Sequence, residues 1–227
     1  MFLSQTMVII KKDLRREARS REISLTTISF SILLVLIFVF ALHGKGEELS
    51  PIFPGILWVC ILFSSTLSIP RTFGAERDSG CLRALAMIPG TQKSLYVGKL
   101  VTNILFMLLF ELALVPMLLV TFQIEMGSEQ WLPFVMMLLS GTAGFAILGT
   151  LLSAMLVHHR LRDVLLPLLL YPLLVPLIIS GVEACGLMIS QSKPEELWSW
   201  LRVMWVADFI FFIGSLALFG WVLKAIE

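Results

Sequence analysis

Residues 23–42 read ISLTTISFSILLVLIFVFAL, twenty positions without a charged side chain. A helix of that length rises about 30 Å, the thickness of a bilayer hydrocarbon core. No small-residue cleavage site follows Leu42, so the segment is expected to remain as a span and not to leave as a signal peptide. Five further apolar runs follow, at Ile52–Ile69, Leu100–Phe122, Trp131–Val157, Val164–Ser190 and Val203–Leu223. The expectation is an all-α integral membrane protein: an amino-terminal helix over 1–22, then a six-span domain over 23–227 with almost no soluble part. The fourth and fifth runs exceed the roughly 20 residues a straight span needs. The fifth contains Pro167, Pro172 and Pro176, and is expected to be irregular.

Composition agrees. Of 227 residues, 58% are hydrophobic and 15% charged, against about 45–50% and about 25% in a soluble domain. Mean hydropathy is +0.92. The 17 basic and 16 acidic residues nearly cancel, which excludes the basic excess of a nucleic-acid binder. Three cysteines, Cys60, Cys81 and Cys185, make neither a disulfide framework nor a metal-ligand spacing.

The basic residues sort between alternate connections. Six precede the first span (Lys11, Lys12, Arg15, Arg16, Arg19, Arg21) and five lie in the second connection (Arg71, Arg77, Arg83, Lys93, Lys99). Arg160, Arg162 and Lys224 bring that side to fourteen, while Lys45, Lys193 and Arg202 make three opposite. This bias places both termini and the connection Arg71–Lys99 in the cytoplasm.

Before the first span, Leu3, Met7, Ile10 and Leu14 recur at helical spacing among the basic residues. That pattern predicts an amphipathic helix lying on the inner leaflet, the alternative being an unstructured basic anchor. In the fourth span Ser140, Gly144, Gly149 and Ser153 form a small-residue packing face.

The chain lacks the G-x-x-x-x-G-K-[ST] loop that would cradle a nucleotide, so it does not bind ATP by that route. Its longest polar connection reads ERDSGCLRALAMIPG over 76–90. Asp78 or Ser79 suits a helix N-cap, Leu82, Leu85 and Ala86 share one face, and Pro89-Gly90 stops the helix. A short helix with an exposed apolar face wants a partner.

These same stretches carry a family resemblance. Pro54-Gly55-Ile56-Leu57-Trp58-Val59, the segment Arg71–Pro89 and Val97-Gly98-Lys99 together resemble haem exporter protein B (CcmB), permease of the cytochrome c maturation ABC transporter. The likeness extends to the six-span layout, the chain length and the run from Leu166-Pro167 to Pro176-Leu177. The chain departs from the family in its longer basic amino terminus. The resemblance implies an exporter-type, ABC-2-like permease of the bacterial inner membrane, non-catalytic itself. Its coupling helix, with Gly80, Leu82, Arg83, Leu85, Ala86 and Ile88, would seat in a cytoplasmic ATPase subunit. ATP would then act only through that partner. The implied remaining partners are a haem-handling membrane protein, a small single-span subunit and a haem chaperone, with haem as cargo and no cofactor bound directly.

An axial haem ligand is usually His. His158 and His159 adjoin Arg160 and Arg162 and read as a solvated cluster, which leaves His43, at the outer end of the first span, as the candidate. Its plain reading is an interfacial residue. Acidic groups inside spans are costly in lipid, so Glu111, Glu183 and Asp208 are candidates by position. Glu183 and Asp208 lie near the outer boundary, where solvation or helix-end capping explains them; Glu111 lies deeper. Trp131, Trp198, Trp200, Trp205 and Trp221 fall near span ends like an aromatic belt, with Trp198 and Trp200 in a connection over 195–202. Two rival functions remain: a scaffold that docks the ATPase onto a haem-handling protein without a transport path, and a permease for another lipid or drug.

Overall fold

A computed structural model describes residues 2–42, 50–78, 91–192 and 194–224. Among the described residues there are seven helices: α1 Phe2–Ser20, α2 Glu22–Leu42, α3 Phe53–Asp78, α4 Thr91–Thr121, α5 Trp131–Leu156, α6 Arg162–Ile189 and α7 Pro194–Lys224. The six from α2 to α7 are each long and apolar enough to cross a membrane.

α1 ends at Arg21, whose φ of 53° is the left-handed conformation that closes a helix. Its N–H still donates to the Glu17 carbonyl at 2.7 Å. The Glu17 carboxylate then accepts from Ser24 N and from Ser24 Oγ, both at 2.7 Å, covering the positive start of α2. One buried acid thus joins two helices.

The buried face of α1 is Thr6, Ile9, Asp13 and Glu17. It lies against α4, where Gly98 lets the backbone approach: a Cβ there would stand 2.9 Å from Ile9 Cγ2. Leu3, Met7 and Leu14 are exposed, so the apolar stripe points away from the bundle and the polar stripe points into it.

The helices run beyond the expected spans. α3 continues past Ile69 and through Pro70 to Asp78, and α4 begins at Thr91, nine residues before Leu100. Hydropathy reports which solvent surrounds a segment, not where its backbone hydrogen bonds stop. Two expectations are corrected. α6 is one helix through Pro167, Pro172 and Pro176; in an apolar surround no water competes for the carbonyls that proline frees, so the helix persists. Residues 195–202 are not a separate connection but the first turns of α7, which opens on Pro194 with Glu195 and Glu196, the residue types that favour a helix start.

α5 is the central helix. Ser140–Thr142 and Gly144–Ala154 are buried, and the helix packs on α3, α4, α6 and α7. The expected small-residue face is there: Gly144 meets Leu177 and Gly149 meets Ile69. The closest approach is made by Trp58 of α3, 1% exposed, whose ring lies against Gly141 of α5 and Gly181 of α6 and stacks on Phe145 at 6.4 Å. A Cβ at either glycine would overlap the indole.

Candidate functional site

The polar groups inside the bundle converge on α5 from different sides. Glu111 of α4 is 4% exposed, and its Oε1 accepts from Thr142 Oγ1 at 2.6 Å. Its other oxygen, Oε2, is buried with no hydrogen-bond partner. Asp208 of α7 is half-buried and accepts from Ser140 Oγ through Oδ2, while Oδ1 lies over Gly144. It is the fifteenth residue of α7, so helix-end capping does not explain it. Glu183 is exposed. Ser140 and Thr142 are two residues apart and point to different sides of α5. The two buried acids therefore form no common pair. No group of three His, Cys, Asp or Glu among the described residues is placed to hold a metal ion.

Toward the start of α4, Asn103 Nδ2 donates to Thr150 Oγ1 at 2.8 Å and Tyr96 Oη donates to the Ile147 carbonyl at 3.2 Å, again tying α4 to α5. His158 and His159 are exposed. His43 and the coupling residues Gly80, Leu82, Arg83, Leu85, Ala86 and Ile88 lie outside the described residues.

The sequence reading missed Lys99. Counted there as one of fourteen topology charges, it is fully buried at the base of α4, with Nζ 2.8 Å from Asp13 Oδ2 and 2.7 Å from the Thr72 carbonyl it donates to. The Phe73 ring centroid is 5.4 Å away. One ammonium thus holds α1, the last turns of α3 and the first turns of α4 together, immediately before and after residues 79–90. The signal was available: Asp13 and Glu17 are acids four apart on an otherwise basic helix, and such a stripe needs a protein partner.

The contrast between the acids gives an expected result. Glu111→Gln should lower the yield of assembled complex several-fold, whereas Glu183→Gln should leave it within error, because only the first removes a carboxylate held inside hydrocarbon. Co-purification from membranes of each variant measures this, and equal yields would remove Glu111 from the candidates.

A bundle of six helices long and apolar enough to cross a membrane, with an amino-terminal helix clamped to one end of it and polar side chains gathered on one central helix, defines a polytopic membrane protein. The family model described as CcmB protein matches residues 4–221. The chain belongs to the CcmB protein family. Among its relatives, Heme exporter protein B of Rhodobacter capsulatus is 30% identical over 175 residues, 77% of this chain and 79% of that protein. The protein of the same name from Haemophilus influenzae is 31% identical over 182 residues, 79% and 81%. That from Paracoccus denitrificans is 31% identical over 176 residues, 78% and 80%.

Proposed function

We propose that this chain is the permease subunit of a haem-exporting ABC transporter of the bacterial inner membrane, serving cytochrome c maturation. The observation that carries this reading is family membership across 4–221 together with relatives named for haem export. The subunit hydrolyses no ATP itself. A separate cytoplasmic ATPase drives it, and it works with a haem-handling membrane protein, a small single-span subunit and a haem chaperone. The decisive experiment compares haem content and cytochrome c maturation of the purified complex with and without this subunit. Loss of maturation and of haem transfer to the chaperone supports the reading; unchanged maturation overturns it.

The tight seating of Trp58 on Gly141 and Gly181 favours a second reading, a scaffold that joins ATPase to haem-handling protein without a path of its own. In that case deletion abolishes co-purification of those two partners, while the haem-handling protein keeps its haem.

Both readings need an ATPase contact at Gly80–Ile88. In the short helix that the sequence predicts there, Leu82 and Leu85 would lie one turn apart, and burying each would contribute about 1.5–3 kcal/mol. Leu82→Asp with Leu85→Asp is expected to release the ATPase during purification while the permease inserts normally. Retained co-purification and retained ATP-dependent maturation would rule the segment out. Orientation is tested by labelling intact cells: a single cysteine at Gly127 should react from outside and one at Thr91 should not, following the fourteen-to-three bias of basic residues. The reverse pattern inverts the topology.

A further inference from the structure

Between α4 and α5 a groove of about 490 Å³ opens sideways, out of the bundle. On α4 it runs from Leu105 to Pro116, about 16 Å of helix axis, and Trp131 of α5 stands at its outer end. Its rim is exposed: Leu112 is 73% exposed, and Leu109, Val135 and Leu139 are each close to half exposed. Its lining is apolar apart from Glu111, the one acid facing it. Glu111 Oε1 is taken by Thr142, and Oε2 is buried without a partner. Pro116 adds a second acceptor, because a proline nitrogen has no hydrogen to give the carbonyl four residues earlier, that of Leu112.

We infer that this groove is the docking site of a membrane-spanning helix from a different protein, one that brings an N–H-bearing side chain to Glu111. The shape asks for an apolar rod, and the two acceptors ask for donors. A lipid acyl chain fills the shape and leaves Oε2 unpaired in hydrocarbon, where an unsatisfied polar group is expensive. Among the described residues, a second copy of this chain presents mostly apolar side chains near that depth, with Leu33, Leu36, Leu173, Val175, Phe209 and Ile210 on the outward faces of α2, α6 and α7, although Trp205 of α7 is also exposed. A foreign span with Lys, Arg, His, Asn, Gln or Trp at mid-depth satisfies both demands. Small residues on its flanks would let it settle against Leu112 and Val135. The inference rests on the geometry of α4 and α5 and is independent of the cargo.

The test uses the full complex in native membranes, with a benzophenone amino acid in place of Leu112 and peptide sequencing of the photoadduct. The expected adduct is to a span residue of another chain, within one turn of one of those donor residues. Its yield should fall about three- to fifteenfold in Glu111→Leu, the range that one interhelical hydrogen bond in a membrane supports. Glu111→Gln, whose amide oxygen still accepts, should retain the adduct yield per molecule of complex that assembles. Val135→Trp fills the groove from its exposed rim without touching Glu111 and should lower the yield as well. Adducts to phospholipid, to a porphyrin or to a second copy of this chain would overturn the proposal, as would no adduct at Leu112. A loss confined to Glu111→Leu, with Val135→Trp unaffected, would also overturn it, since that pattern reports an internal defect at Thr142.

Discussion

Asp13→Ala is expected to destabilise the bundle by about 3–5 kcal/mol, the range for removing one partner of a buried ion pair. Lys99 has no exposure through which its ammonium could turn to water, and the Thr72 carbonyl it also bonds carries no charge to offset the ammonium. The visible consequence should be release of α1. Protease accessibility of residues 2–20 in detergent should rise, and the midpoint of thermal unfolding should drop. Asp13→Leu combined with Lys99→Met should recover most of the loss, because an apolar pair of similar volume leaves no charge stranded. If Asp13→Ala keeps wild-type protection of α1, the pair is not what holds the helix.

The second large effect is expected at Trp58. Gly181→Leu forces a side chain into space the indole occupies, against backbone held by α3 and α5, and should abolish recovery of folded protein. Trp58→Ala alone opens a cavity and should cost about 3–5 kcal/mol. The two combined should be better tolerated than Gly181→Leu by itself, since the leucine enters the cavity the tryptophan vacates. Thermal unfolding of the three variants measures the coupling, and additive losses would show that Trp58 and Gly181 do not share one space.

Much of this fold is legible in the sequence because a bilayer imposes so plain a demand. The run at 23–42 and its five successors each became a helix, and the small residues Ser140, Gly144, Gly149 and Ser153 are buried as their spacing predicts. Helix ends were less legible. At Pro70 and along α6 proline reads as a breaker, yet the surround that decides its effect is supplied by other helices. The site divides in the same way. Glu111 and Asp208 stand out because charge in a span is rare, but their partners Thr142 and Ser140 are ordinary residues until the bundle brings them close. Lys99 looked like any other basic residue of a connection, since its pairing with Asp13 is set by tertiary packing between distant segments. Trp58 lies inside the motif that carries the family resemblance, and nothing local marks Gly141 and Gly181 as the other two walls of its slot.

The clamp between Asp13 and Lys99 also bears on how the chain is made. Asp13 leaves the ribosome long before Lys99, so the newly synthesised amino terminus has no protein surface to receive its carboxylate until the third span is threaded. Only if spans one to three have entered with the correct sense does Lys99 arrive on the side where Asp13 is waiting. A hairpin inserted upside down carries the lysine to the opposite face, and the amino-terminal helix stays undocked. Closure of this ion pair therefore requires the amino-terminal helix and the start of the third span to lie on the same side of the bilayer.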